Sequence, residues 1–451
     1  MSSEGLVHYA ESKVRLPGDP LAAVSRLAAG GLHEDYVVYE NSGQWAFASG
    51  VLADVRLDRT GARLYGVNDM FLPWDGDPLR QVRRLLEAVQ VDSWRAYGWA
   101  AFELAYAKEG DLTGVGDERL LHLVVPHTEV RVQYGWAHVR SADKQTLAAV
   151  LAALAQEPAG PTRSSRPVDV RREGAEDYQR AVKLAVEEIA AHRFQKVILS
   201  RVVPLAQEID LVGTYVSGRR GNRPARSFLL NLDGVEMAGF SPEVVIHVDE
   251  DGRVVSQPLA GTRMLTDDRT ENQRLRTELL SNAKEIYEHA ISVKTACDEL
   301  HTVCTPDSLS VQEFMVVRER GTVQHLASRV SGKLARGRHA WDAFGATFPA
   351  VTASGVPKAA AYASIRSHEG QARGLYSGAV LTVDASGAMD AALVLRAVYR
   401  RDGTTWLQAG AGIVEQSRPE REFEETCEKL DSVARYLVPA DVSADRTSSV
   451  G

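Results

Sequence analysis

The sequence predicts a mixed α/β (α+β) protein, and three observations carry that expectation. Beyond about residue 175, long helical periodicities (175–192, 270–304 and 420–436) alternate with the β-branched runs KVILSRVV, VVIHV, SLSVQEF, GAVLTV, AALVLRAVYR and WLQAGAGIV. Over residues 33–70, the short apolar stretches DYVVYE, QWAFASGVLADVRL and ARLYGV are separated by Gly, Asn and Asp, as antiparallel strands are. An apolar content of 44% in 451 residues gives interior enough for one very large domain or two to three ordinary ones.

Taken in order, the N-terminal MSSEGLVHYAESKVRLPGDP has early acids and no apolar run of signal-peptide length. No segment reaches bilayer-spanning length, so the expectation is a cytoplasmic protein without a membrane partner. A helix is predicted at 78–90, strands in WAAFELAY and HLVVPHTEVRVQYGWAHVR, and a further helix at 143–156. The Pro/Ser/Arg-rich EPAGPTRSSRPVDV has no hydrophobic period and reads as a linker. It divides a β-rich N-terminal portion, 1–165, from a mixed α/β portion, 166–440. The polar end, 441–451, has nothing to bury and is expected to fray. No repeat of fixed period is visible.

Charge excludes one class of partner. The net charge is −8, with both signs interleaved and no basic tract to track a phosphate backbone, so no nucleic acid is expected. Cys297, Cys304 and Cys427 show no CxxC spacing and read as buried thiols.

The acid-rich EREFEETCEKL, residues 420–430, is an amphipathic helix on a wheel of about 100° per residue. Phe423, Cys427 and Leu430 share one arc; Glu420, Glu424 and Glu428 spread over the opposite side, toward solvent. Glu422, Glu425 and Lys429 form a row on the border between core and exterior. SNAKEIYEHAISV repeats the geometry, with Ile286, Ala290 and Val293 as the apolar arc and Glu285, Glu288 and Ser292 as the neighbouring row. Taken alone, each row reads first as a solvated face with Glu-to-Lys support, and second as the lining of a cavity. Facing each other in a cleft, the two rows would repel unless a cation completed the site, and oxygen-only ligands favour Mg²⁺.

Lys196 opens the β-prone KVILSRVV, either reaching solvent from a strand end or held in a pocket as a base. Glu243 follows Pro242 in GFSPEVV: a polar loop residue, or a carboxyl kept protonated to act as an acid. The glycines of QPLAGTR, GLYSGAV and QAGAGIV mark bulges, or close backbone approach to an anion. Arg396 lies in AALVLRAVY, a run so apolar that its charge needs a partner, structural or a ligand carboxylate.

Taken together, KVILSR, GFSPE, PLAGTR, NAKEIYEHAISV, FPAVTASGVPK, GLYSGAV, AGAGIV and EREFEETCEKL, in this order, resemble the chorismate-utilising enzymes: anthranilate, isochorismate and salicylate synthases. The likeness spans residues 175–438 and is less distinct in the N-terminal third. It implies a single large anthranilate-synthase-like body, two packed β-sheets with helices outside and an active-site cleft for chorismate and Mg²⁺. Portion 166–440 would then be the chorismate-binding catalytic part. Carried onto matching positions, Glu288, Glu422 and Glu425, with Glu285 close by, would form the metal shell. Tyr376, Arg396 and the backbone at Gly410 and Gly412 would hold the enolpyruvyl carboxylate, and Lys429 would lie near the metal end. Gly261, Thr262 and Thr352 match substrate-binding positions, and His325 in VQHLAS matches a catalytic one.

Lys196 resembles the general base of the water-using branch, where ammonia-using relatives have a glutamine. Ala260 stands where one kind of aminodeoxychorismate synthase has a lysine nucleophile. Asn41 in VVYEN stands where the feedback site of anthranilate synthases has a serine. FPAVTASGVPK resembles the anthranilate branch and KVILSR the isochorismate branch, a combination resembling the salicylate synthases of siderophore biosynthesis. That resemblance implies water attack at C2 assisted by Lys196, protonation of the departing C4 hydroxyl by Glu243, and then pericyclic loss of pyruvate. It implies no glutaminase subunit, and a monomer is expected.

Overall fold

The predicted strands assemble into two large antiparallel sheets in the computed structural model, which describes residues 6–156, 164–320 and 323–440. The first, of eleven strands, runs in the order Ala10–Arg15, Trp136–Ser141, Thr128–Gln133, Gln44–Ser49, Tyr36–Asn41, Arg226–Leu232, Val235–Ser241, Ala397–Arg401, Thr404–Ile413, Lys196–Leu205, Gly355–Val356. The second, of twelve, runs Leu259–Met264, Val323–Lys333, Arg253–Ser256, Val244–Val248, Met389–Leu393, Ala379–Asp384, Arg95–Ala100, Leu121–Val125, Ala53–Asp58, Gly61–Gly66, Met70–Pro73, with Ser310–Arg320 paired to Val323–Lys333. Both sheets take strands from either side of residue 165.

Alternation along the strands explains the layers. Val37, Tyr39, Tyr97, Trp99, Phe228, Leu230, Val380 and Tyr399 point inward and form the core between the sheets. The outward faces bury their apolar residues under helices. Pro20–Ala29, Lys144–Ala155, Leu211–Gly221 and Pro419–Ala434 cover the first sheet, with Lys358–His368 against its Lys196–Leu205 and Gly355–Val356 edge, while Pro78–Glu87, Ala283–His301 and Ala340–Thr347 cover the second. Cys304 and Cys427 are buried free thiols; Cys297 is free but only half-buried.

Three predicted elements are interrupted, each for a local reason. WAAFELAY is not one strand: pairing stops at Ala100, and Leu104–Lys108 is a short helix. The helical period at 270–304 is two helices, Arg269–Ser281 and Ala283–His301, because Asn282 is extended (ψ 115°) and its side chain caps the Glu285 N–H. AALVLRAVYR breaks after Leu393, so Arg396 is not a strand residue; its φ is +54°. There the chain leaves the second sheet and enters the first at Ala397. Residues 157–163 of the predicted linker and the end 441–451 lie outside the described residues; 164–170 run as irregular chain, with the Arg166 N–H donating to the Leu437 carbonyl.

Candidate functional site

Two crossovers between the sheets lie side by side and place the site. At Pro242–Glu243 the chain passes from Val235–Ser241 into Val244–Val248, and at Val394–Arg396 it passes back from Met389–Leu393 into Ala397–Arg401. Backbone bonds from Leu393 N–H to the Glu243 carbonyl (3.1 Å) and from Phe240 N–H to the Arg396 carbonyl (3.0 Å) clamp them together. Beside them an open cleft of about 650 Å³ is lined by Glu243, Gly261, Thr262, Glu288, His325, Thr352, Tyr376, Arg396, Gly410, Gly412, Glu425 and Lys429. Of the residues singled out in the sequence, Lys196, Glu285 and Glu422 are not in the lining but lie directly behind it, in contact with or beside residues that are.

One end of the cleft is carboxylate. Glu285 and Glu288 come from Ala283–His301, Glu422 and Glu425 from Pro419–Ala434, and all four are buried. The border-row expectation needs correcting on the first helix. Its buried face is Glu285, Glu288, Ser292 and Val293 itself, while Ile286 and Ala290 are only half-buried, because this face packs on the ends of both sheets. On the second helix Glu420 is exposed and Glu424 pairs with Arg171, but Glu428 is mostly buried and bonded to Arg421 rather than free in solvent.

Each acid has its own cation: Glu288–Lys196 at 3.1 Å, Glu422–Lys284 at 2.7 Å, Glu425–Lys429 at 2.8 Å and Glu285–Arg263 at 3.0 Å. Burial and the neighbouring Glu425 charge push Glu285 up; burial likewise raises Glu422. Glu425 is held low against its burial by the Lys429 and Lys284 ammonium groups. As these pairs stand, no three Asp, Glu, His or Cys among the described residues form a ready-made metal cage. The donor set still fits a hard divalent cation, because every donor is a carboxylate oxygen and two of them, Glu285 Oε2 and Glu422 Oε2, are buried without a hydrogen-bond partner among the described residues.

Glycines let the backbone approach these acids. Gly261 has φ +65°, and a Cβ there would sit 2.8 Å from Glu285 Oε2; one on Gly412 would sit 2.1 Å from Glu288 Oε1. Gly412→Ala is therefore expected to force Glu288 aside and destabilise the fold by about 1–3 kcal/mol. Thermal unfolding checks this, and an unchanged midpoint would mean that Glu288 has room elsewhere.

The other end demands an anion. Arg396 is buried, and among the described residues no carboxylate lies within ion-pair distance of its guanidinium. Burial lowers it to about 10. Its contacts are the Ser432 hydroxyl (3.4 Å) and His325 Nε2 (3.3 Å). His325 Nδ1 lies 3.1 Å from the Gly261 carbonyl, which can only accept, so Nδ1 carries the hydrogen and the Nε2 lone pair receives Arg396. Burial, then Arg396, drives this imidazole down to about 3, so it stays neutral. Tyr376 is buried beside Gly410, and the Gly410 carbonyl accepts from Lys429 Nζ at 2.8 Å.

Between the two ends lies Glu243, whose carboxylate accepts from Thr352 Oγ1 at 2.5 Å and is raised to about 8 by burial. Lys196 is fully buried and donates to Ser292 Oγ at 3.1 Å. Sequence reasoning missed Arg263 and Lys284. Both were open to view: Arg263 closes PLAGTR, and Lys284 precedes Glu288 by one helical turn.

Comparison with known proteins supplies the family. Residues 35–435 match the model described as chorismate binding enzyme. The chain is 42% identical over 432 residues, 94% of each chain, to the salicylate synthase of Mycolicibacterium paratuberculosis (strain ATCC BAA-968 / K-10). It is 35% identical to anthranilate synthase component 1 of Aquifex aeolicus (strain VF5), over 60% of this chain and 54% of that one. In fold it resembles anthranilate synthase component I from Streptococcus pneumoniae TIGR4, with TM-score 0.73, 24% identity and coverage of 88% and 92%. It also resembles the menaquinone-specific isochorismate synthase from Escherichia coli, with TM-score 0.73, 21% identity and coverage of 96% and 95%. With the two-sheet body, the cleft and the matched length in agreement, the chain belongs to the chorismate binding enzymes.

Proposed function

We propose that this chorismate-utilising enzyme is a Mg²⁺-dependent salicylate synthase, converting chorismate to isochorismate and then to salicylate and pyruvate. The observation that carries the reading is the polarity of the cleft. A buried guanidinium that among the described residues has no carboxylate within ion-pair distance stands at one end, and four glutamates, two of whose oxygens lack a hydrogen-bond partner among the described residues, stand at the other. A dicarboxylate bound with a divalent cation satisfies both ends at once. Similarity to a salicylate synthase along nearly the whole chain supports the same choice.

Arg396 and Tyr376 would take the enolpyruvyl carboxylate, with His325 holding Arg396 in place through its fixed tautomer. Glu285, Glu288, Glu422 and Glu425 would hold Mg²⁺, which when bound supplies charge to fix and polarise the ring carboxylate. Lys196 would take a proton from the water attacking C2, and Glu243 would give one to the C4 hydroxyl, which leaves as water while the ring double bonds shift. The second step moves the C2 hydrogen to the enolpyruvyl methylene carbon as the C–O bond to pyruvate breaks. It needs a held conformation and no further acid or base.

Incubating purified protein with chorismate and Mg²⁺, without and then with ammonium, tests the reading. Equal salicylate and pyruvate, independent of ammonium, is the expected result; isochorismate as the end product, or an aminated ring, would overturn it.

Glu243 also sets a pH dependence. Raised from 4.5 to about 8, it is protonated near neutrality, so turnover is expected to fall as pH rises past about 8. The sign for stability is the same. Between those two values the folded chain holds a proton that the unfolded chain has lost, so stability declines as pH rises through that window. Glu243→Gln should abolish isochorismate formation and flatten the stability profile there; an unaltered profile in urea titrations would remove Glu243 as its source.

A further inference from the structure

The glutamate cluster contains its own cation. Of the four cationic side chains that meet it, three have other partners: Lys196 donates to Ser292, Lys429 to the Gly410 carbonyl, and Arg263 to the Thr262 carbonyl and Glu278. Lys284 differs, since among the described residues its hydrogen bonding is to Glu422 Oε1 alone, at 2.7 Å. Its charge is stabilised, against burial, by Glu425, Glu422, Glu288 and Glu285, the whole cluster. Its side chain is 15% exposed whereas that of Glu422 is 1% exposed, so the lysine is the solvent-accessible member of the pair.

We propose that Lys284 is a tethered counter-ion, which neutralises the glutamate cluster in the metal-free protein and gives up Glu422 when a divalent cation binds. The proposal rests on reading the cluster as a cation site. Its physical basis is that four buried carboxylates short of one cation, with Glu422 left unpaired, carry a large cost in repulsion and lost hydration. A monovalent ammonium on the chain lowers that cost, keeps the empty site folded and competes with the metal for the same oxygens. Lys284 thereby sets the affinity of the site without touching the substrate.

The test uses the full-length chain, freed of metal, with Mg²⁺ alone as the probe and no substrate. Lys284→Met is expected to lower the unfolding midpoint of the metal-free protein and to tighten Mg²⁺ binding, measured calorimetrically, by about tenfold or more. Lys294→Met, an exposed position on the same helix, should change neither. A weaker or equal Mg²⁺ affinity in Lys284→Met would overturn the counter-ion role. Absence of Mg²⁺ binding to the unsubstituted chain would instead overturn the cation-site reading beneath it.

Should Lys284→Met fail to fold without metal, the unsubstituted protein still decides the matter. Acetylation of Lys284 by an amine-reactive ester, quantified by mass spectrometry, should increase several-fold on adding Mg²⁺ as the ammonium is displaced. Labelling that stays constant or falls would show that the ammonium remains on Glu422.

Discussion

Lys196→Met is expected to slow chorismate consumption by about 10²–10⁴-fold, the range of a lost general base, while the protein stays folded. Methionine retains the volume of the lysine stem, which is fully buried at the start of its strand, so packing changes little. What disappears is the one nitrogen, held by Ser292 and Glu288, that the proposed chemistry assigns to water activation. The two steps should separate. Isochorismate supplied directly to the variant should still yield salicylate and pyruvate, because the pericyclic step needs no base. Normal turnover of chorismate would remove Lys196 from the mechanism, and equal loss of both steps would indicate collapse of the site around the unpaired Glu288.

How much of this was legible in the sequence follows from what each signal depends on. Helices and strands with a clear period, such as Pro419–Ala434 and Lys196–Leu205, were read to within a few residues, because periodicity is a property of the segment itself. Arg396 reads as a strand residue because the residues around it in AALVLRAVY are apolar. Only the strand order of the two sheets reveals that the chain changes sheets there, leaving the guanidinium beside the cleft. The glutamate rows were legible as rows, but not which sector of each helix is the packed one. A wheel orders residues around one helix, but which sector faces a neighbour is set by the partner, and in Ala283–His301 the packed sector is the acidic one. Lys284 stands one turn before Glu288 in the sequence, a spacing that points to the wrong partner. Its meaning comes from Glu422, more than a hundred residues away, and family resemblance conveyed the named acids without conveying what neutralises them.

The largest expected stability effect lies outside the cleft, at Asp390. This buried carboxylate stands on Met389–Leu393 of the second sheet and receives Arg226 through two bonds (2.8 and 2.6 Å), the Tyr39 hydroxyl (2.6 Å) and the Asn41 amide (3.1 Å), all from strands of the first sheet. It thus pins the two sheets face to face. Asp390→Ala would leave the mostly buried Arg226 guanidinium with the Ala225 carbonyl as acceptor but no counter-charge, and the buried Tyr39 hydroxyl without its acceptor, and is expected to cost about 3–5 kcal/mol. Against its burial, Arg226 holds the carboxyl well below the usual carboxylate range. The pair's contribution is therefore complete above the unfolded value of about 3.8 and fades as pH falls below it. Denaturant unfolding of both proteins at neutral pH and at about pH 3 should show a gap that narrows in acid. A gap absent at neutral pH would mean that the sheets are held by their apolar core alone. The same strand leads into the crossover bearing Arg396, so loosening the pin should also weaken chorismate binding, seen as a raised KM with kcat less affected. A variant that loses stability and keeps its KM would confine Asp390 to the sandwich and separate it from the site.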